Sequence, residues 1–310
     1  MRTSNFRAEP YLSNHGMTII TEIRGRQPSR LLNMKTALLG SRGVLRVSGP
    51  DAAEWLQGLI TNDIARANGE NACFAALLSP QGKILFDFLI SRREEGDSAL
   101  YYIDCAGDQV AALAKRMSMY RLRAKVEVAD LSDSLGIMAI WDIEGSPSPE
   151  ARRDPRHPAL GWRLVGPRSG IALELPPQNS EQDYQALRIA AGVPEGGADF
   201  TWGDAFPHDA NMDELNGVDF RKGCYIGQEV VSRVQHRGSA RKRFRRLSFD
   251  GAPPAEGATI TAGDIQLGTV TSICGDSGLG QIRIDRAAKA AGSAAAAAVV
   301  ADSRPVRILP

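Results

Sequence analysis

The residues best suited to chemistry lie in one stretch, Lys222-Gly223-Cys224-Tyr225-Ile226-Gly227-Gln228-Glu229, continuing Val230-Val231-Ser232-Arg233. A cysteine stands between two glycines, a lysine precedes it by two positions, and a Gln-Glu pair follows. Glycine accepts backbone angles and close approaches that side chains obstruct, so the stretch reads as a shaped loop. Gly227-Gln228-Glu229 then opens a short helix through Arg233, with Glu229 in the first turn where the helix dipole favours a negative charge. Cys224 would lie just ahead of that positive end and close to Lys222. Both influences favour the thiolate, the form that attacks electrophiles or binds metal. The competing reading is a buried, inert cysteine, but Gly, Lys, Gln and Glu are poor core formers.

A second candidate is Asp87, inside the apolar run Lys83–Ser91 and flanked by Phe86 and Phe88. A carboxylate there must face a cavity, find partners or be neutralised, because burying it alone is expensive. The alternative is the solvated face of an alternating strand. Residues 221–246 add nine Lys/Arg (Arg221, Lys222, Arg233, Arg237, Arg241, Lys242, Arg243, Arg245 and Arg246) against one acid, Glu229. Such a run attracts phosphates or clustered carboxylates, unless it is only a solvated linker and strand edge.

The elements that must position these groups follow from periodicity. Gly43–Ser48 reads as a strand, a helix capped near Asp51 runs to about Thr61 on the stripe Ala52, Trp55, Leu56, Leu59 and Ile60, and Asn71–Leu78 is a strand. The turn Ser79-Pro80-Gln81-Gly82 returns the chain as the strand Lys83–Ser91. Ala99–Cys105, an amphipathic helix over Asp108–Arg123, Lys125–Ala129 and Leu135–Trp141 follow, in the order of a ferredoxin-like unit. Glu144–Pro158, rich in Pro, Ser and Arg, reads as an exposed loop. Gly161–Val165 and Gly170–Leu175 read as strands, and Glu181–Gly192 as a helix ended by its glycine. Pro194–Gly217 has the irregular character of a binding loop. From Phe244 on, short strands split by Gly and Pro predict a small antiparallel barrel or sandwich.

The chain as a whole sets bounds. Its 310 residues are 43% hydrophobic and 24% charged, with a net charge of +1. That is ordinary globular composition, and no global field recruits nucleic acid or membrane. Cys73, Cys105, Cys224 and Cys274 form no C-x-x-C pair and no zinc spacing with histidine, so neither a disulfide scaffold nor a structural metal site is expected. A reducing cytoplasm is the default. The first 34 residues are Arg-rich and acid-poor, as in an organellar transit peptide, which would place the protein in the mitochondrial matrix; a flexible extension explains that composition equally.

The Cys224 signature with Arg233 resembles that of the YgfZ family, folate-binding proteins that support iron–sulfur cluster assembly and maintenance on the fold of the glycine-cleavage T-protein. The resemblance covers most of residues 36–310. It includes Gly49-Pro50-Asp51, Leu56-Gln57-Gly58, Thr61-Asn62-Asp63, Ser79-Pro80-Gln81-Gly82-Lys83 with Asp87, Leu187-Arg188-Ile189 with Gly192-Val193-Pro194, and Phe206-Pro207. Keeping an acid at Asp87, where T-proteins carry the carboxylate that engages folate, resembles the mitochondrial-type assembly factor. Tyr184 falls where a bacterial relative sets a tryptophan against the pterin, and Arg42 where it has a second.

The resemblance implies an α+β fold with ferredoxin-like subdomains and a C-terminal β-barrel. The expected divisions are an extension over 1–34, a folate-binding region over 35–240 split near 144–158, and a barrel over 241–310. It implies tetrahydrofolate or a one-carbon derivative as cofactor, and iron–sulfur assembly or client proteins as partners, with neither membrane nor nucleic acid. Cys224 and Asp87 are the expected catalytic residues. Tyr184, Asp87, Lys222, Tyr225, Gln228, Glu229, Arg233 and Arg237 are the expected folate contacts, Tyr184 by stacking and the arginines through the glutamate tail. A folate-dependent aminomethyltransferase is the alternative, and a nucleic-acid or protein-binding module using residues 221–246 a third.

Overall fold

The computed structural model describes residues 33–95, 98–238, 240–291 and 298–309. Most of the Arg-rich extension, residues 1–32, lies outside them. Two sheets face each other across a shared core, and a closed barrel packs beside them.

The first sheet has the order β3-β4-β5-β2-β6. Its strands are β2 (Arg42–Ser48), β3 (Cys73–Leu78), β4 (Ile84–Glu95), β5 (Ser98–Ala106) and β6 (Glu127–Asp130). Helices α1 (Ala52–Leu59) and α2 (Val110–Met119) cover one face, where Leu56, Leu59, Leu113 and Met117 meet Leu45, Val47 and Ile103. Every residue of β3 is buried, which explains its unbroken apolar run: Cys73, Ala75 and Leu77 serve the helix side, and Phe74, Ala76 and Leu78 the other. A ferredoxin-like unit has two strands between its helices; this sheet has three, β3, β4 and β5. Asp51 precedes α1 as expected but does not cap it. Its carboxylate instead accepts the Lys125 N–H at 2.7 Å, tying α1 to the strand after α2.

The second sheet has the order β1-β7-β9-β8, from β1 (Lys35–Leu38), β7 (Leu135–Trp141), β8 (Arg152–Arg153) and β9 (Trp162–Pro167). Two expectations fail here. Residues 168–174 form a helix, α3 (Arg168–Glu174), rather than a strand, because Ile171 and Leu175, four apart, both pack on the outer face against Met138 and Leu164. The segment 144–158 is no exposed loop: Ala151, Arg152, Asp154 and Arg156 are buried, and three of them carry charge into the core.

Helix α4 (Glu181–Ala190) starts from a capping box of Ser180 and Asp183 and lays Tyr184, Leu187 and Arg188 towards the shared core. After the irregular 194–217 segment and the cysteine loop comes α5 (Gln228–Arg237). The barrel runs β10-β13-β12-β11-β14-β15, from β10 (Lys242–Phe249), β11 (Thr259–Ala262), β12 (Ile265–Cys274), β13 (Ser277–Arg283), β14 (Val299–Ala301) and β15 (Arg304–Ile308). A helix absent from the sequence reading, α6 (Ile284–Ala291), follows β13.

Candidate functional site

The cysteine loop is fixed on both sides of an exposed thiol. Before it, the Lys222 ammonium donates to the carbonyl oxygens of Gln57 at 2.6 Å, Ile60 at 2.6 Å and Asn62 at 3.0 Å. Those bonds use all three donors of the ammonium, so Lys222 has none to offer the thiol, contrary to expectation. Burial pushes Lys222 down to about 8, while Asp63 holds it up, so it stays charged at neutral pH. The backbone N–H groups of Arg221 and Lys222 donate to Asp219, which also holds Arg66 at 2.8 Å. The Thr61 hydroxyl donates to the Gly217 carbonyl at 2.7 Å and the Asn62 amide to that of Asn216 at 2.7 Å. The block after α1 is therefore the clamp of the cysteine loop.

After the thiol, Tyr225 is buried in the shared core, and Gly227 begins α5 with φ 80°. A Cβ on Gly227 would lie 2.6 Å from the Ser79 carbonyl oxygen, and one on Gly82 would lie 2.9 Å from Val230 Cβ. The β3–β4 turn and the start of α5 thus interlock, and both positions require glycine. Cys224 itself is exposed. Gln228 opens α5 half-buried, while Glu229, Arg233 and Arg237 line one exposed face, with Glu229 and Arg233 paired at 2.7 Å.

Asp87 belongs to a different place. It is 5% exposed, on the face of β4 that looks into the shared core, and its Oδ1 has no hydrogen-bond partner among the described residues. Burial pushes its carboxyl up to about 6; Arg42 opposes the shift and Glu195 adds to it. Arg42 donates to Asp104 Oδ1 at 2.6 Å and to Glu195 Oε1 at 2.7 Å. Across the core, Arg156 grips Asp154 through two bonds, 3.0 and 2.7 Å. Arg163 faces Asp104 Oδ2 at 3.4 Å without forming a hydrogen bond, which leaves Arg163 Nη1 and Asp104 Oδ2 unsatisfied beside Asp87. Neighbouring arginines hold Asp154 and Glu195 down to about 2 against the opposing effect of burial. Arg188 carries the chain of charges on, donating to Asp199 at 2.6 Å, and Asp199 accepts the Thr271 and Ser272 hydroxyls of the barrel, each at 2.7 Å.

Tyr184 joins this cluster, but not as a stacking platform. It is 2% exposed, the Arg163 guanidinium sits 4.7 Å from its ring centre, and Trp141 packs edge-on at 6.0 Å. Its hydroxyl accepts from Arg163 at 2.6 Å and Arg156 at 3.2 Å. Arg42 likewise is no vacancy left by an aromatic: it is the buried hub of the carboxylates.

Asp87 and Tyr184 therefore meet, through Arg156, whereas Cys224, Lys222, Tyr225, Gln228, Glu229, Arg233 and Arg237 belong to the loop and α5. The two places share the β3–β4 hairpin. Asp87 lies five residues beyond the turn that touches Gly227, roughly 16 Å along the strand. The sequence reading named Arg42 only as the counterpart of a tryptophan and missed Asp104, Asp154, Arg156, Arg163, Arg188, Glu195 and Asp199 as a cluster; the Leu187-Arg188-Ile189 block held one further hint, an arginine between core residues. Part of the basic run is spent within the fold: besides Lys222 and Arg233, Arg243 engages Asp213 at 2.8 Å and Arg245 engages Glu214 at 3.5 Å.

Comparison with known proteins fits this architecture. Residues 40–145 match the GCVT N-terminal domain and residues 241–309 the CAF17 C-terminal beta-barrel domain. Aminomethyltransferase T of the glycine cleavage system from Bartonella henselae superposes with a TM-score of 0.71 over 94% of this chain and 88% of that one, at 16% identity, which shows the fold. The mitochondrial iron-sulfur cluster assembly factor IBA57 of Mus musculus is 34% identical over 274 residues, 79% of this chain and 76% of that protein. The Homo sapiens protein of that name is 35% identical, over 71% and 68%. The chain spans little more than half the length of some fungal homologues, 59% of the Mycosarcoma maydis protein at 35% identity. These matches refine the resemblance to YgfZ, a related family. Identity of this extent, over most of both proteins, means that the chain belongs to the family of the iron–sulfur cluster assembly factor IBA57.

Proposed function

We propose that this protein is an accessory factor for assembly or repair of 4Fe–4S clusters, that it binds tetrahydrofolate or a one-carbon derivative, and that it acts through Cys224. The observation that carries this reading is the mounting of the thiol. Cys224 is exposed, yet Lys222 and Tyr225 on either side are buried and held, so the loop presents sulfur to a partner at little ordering cost. A thiolate so placed ligates iron, takes up sulfur or attacks a one-carbon electrophile. Cys73 and Cys105 cannot share the task, since burial pushes both thiols up to about 12. Among the described residues no group of three His, Cys, Asp or Glu could hold a metal ion, so in this reading the partner supplies the remaining cluster ligands. The relatives named above are mitochondrial, and the matrix, with the Arg-rich extension as import signal, is part of the proposal.

The folate part rests on the unsatisfied atoms of the buried cluster. Asp87 Oδ1 is an acceptor without a hydrogen-bond partner among the described residues, and Asp104 Oδ2 and Arg163 Nη1 lack hydrogen bonds although they face each other as ions at 3.4 Å; buried polar atoms of this kind call for a polar ligand or water. They fit the hydrogen-bonding edge of a pterin; Tyr184 does not fit a stacking role. Arg233 and Arg237 on the exposed face of α5 suit the glutamate tail. Bound tetrahydrofolate supplies a reduced nitrogen that carries a one-carbon unit, and Asp87, titrating near 6, is placed to hold or release a proton beside it. That same carboxyl favours the second reading, an aminomethyltransferase, which leaves Cys224 without a role.

The test is complementation. In cells lacking the protein, Cys224→Ala should fold normally and fail to restore 4Fe–4S enzyme activity; full rescue overturns the cysteine mechanism. Tetrahydrofolate, with or without a polyglutamate tail, should raise the melting temperature, and no shift at saturation removes the folate claim. Glycine-cleavage activity with lipoyl carrier protein, lost in Asp87→Ala, would establish the second reading instead.

A further inference from the structure

The end of α2 carries two costs that no contact within the fold offsets. Residues 121–124 close a turn in which the Ala124 N–H donates to the Arg121 carbonyl at 2.8 Å, and Leu122 stands second in it with φ 44°. That backbone region suits Gly, Asn and Asp and is a steric outlier for a bulky side chain. The other non-glycine residues with positive φ among the described residues are Asp142, Asn211, Asn216, Asp302 and Ser303, all small and polar. Leu122 is also 89% exposed, and Met119, the last residue of α2, is 63% exposed. Strained positions of this kind concentrate where a protein meets a ligand or partner.

The charge around them is one-sided. Lys115, Arg116, Arg121, Arg123 and Lys125 surround the two apolar side chains, and residues 115–126 contain no acid. None of the five makes a side-chain ion pair or hydrogen bond with a described residue. Of the acids beside them, Glu127 pairs with Arg46 at 3.2 Å, and Asp51, which accepts the Lys125 backbone N–H, is one negative charge against five positive ones. The net charge of +1 excludes a global field, but it leaves this local one intact.

We propose that this tip docks on an anionic membrane surface, with Leu122 and Met119 entering the headgroup boundary and the five cations lying among the headgroups. A protein partner would need a recess for Leu122 and acids at five separate places, and a stable protein interface engages about 20–30 residues a side. A lipid surface supplies an apolar layer under negative charge everywhere, and a few projecting residues suffice. No described helix is long and apolar enough to cross a membrane, so the contact is with the surface.

The experiment floats the full chain with vesicles of phosphatidylcholine alone or mixed with phosphatidylglycerol, at low salt. The protein should float with the mixed vesicles only, and added salt should release it. Arg121→Gln with Arg123→Gln should weaken binding about 25-fold, roughly fivefold for each charge near the surface. Leu122→Asn should weaken binding while keeping or raising the melting temperature, since asparagine accepts the positive φ. Absence of flotation with mixed vesicles, or unchanged flotation of these variants, overturns the proposal. Retention on immobilised polyglutamate that the variants lose, without flotation, assigns the tip to an acidic polypeptide and equally overturns it.

Discussion

At Asp87, burial and charge pull against each other, and burial wins. Its folded value, about 6, lies above the ordinary carboxylate value, so the native state binds the extra proton between about pH 4 and 6 and stability falls as pH rises through that window. Glu195 and Asp154 act in the opposite sense: their contribution is present above about pH 4 and is lost as pH falls towards 2. Asp87→Asn removes the burden of a buried charge without changing the shape. It should therefore stabilise the protein at pH 7 by ~2–3 kcal/mol, with no gain left below about pH 4, as urea titrations at the two pH values would measure. A destabilised variant at pH 7 would mean that the ionised form is what the cluster is built to hold. The cost of burying this acid was legible beforehand; its surroundings were not. The residue stood out as an acid in an apolar strand, but Arg42 pairs with Asp104 and Glu195 across 62 and 153 residues of chain, and no local pattern reports such pairings.

Among the elements, those with a strong period were readable. Strands β2 to β5 and helices α1, α2 and α4 fall within a few residues of their expected places, and the barrel follows where short strands were expected. Helix α3 did not, because Ile171, Leu173 and Leu175 fit a period of two as well as the i, i+4 pair that packs, and a short segment cannot separate the periods. The cysteine loop was legible because its signals are local: two glycines, a helix start and a lysine. What Lys222 does was not, since its partners are backbone oxygens on another element. Lys222→Met keeps the stem and removes the ammonium, leaving three buried carbonyls unpaired. It should cost ~2–4 kcal/mol in chemical denaturation while Cys224 still reacts with a thiol reagent at its former rate. Unchanged stability with a slower thiol would instead assign Lys222 to activating Cys224.

For the molecule as a whole, the buried ions form a fastening between the barrel and the rest. Asp199 ties Arg188 of α4 to Thr271 and Ser272 of β12, so a single carboxylate bridges the two parts. Asp199→Ala would leave the buried Arg188 guanidinium with only Glu195, at 3.6 Å, as a carboxylate partner and would remove the acceptor of two barrel hydroxyls, at a cost of ~2–3 kcal/mol, and calorimetry should show the barrel melting apart from the remainder. One cooperative transition at unchanged temperature would mean that apolar contacts alone hold the barrel in place. The barrel also sets an order on synthesis. Residues Leu247, Ser248 and Phe249 of β10 pair with Ile308, Arg307 and Val306 of β15, the last described strand. The emerging chain can complete both sheets while β10 still waits for that partner. A ribosome stalled before β15 would thus expose a bare strand edge next to a finished core, the stretch that a holding chaperone would need to cover.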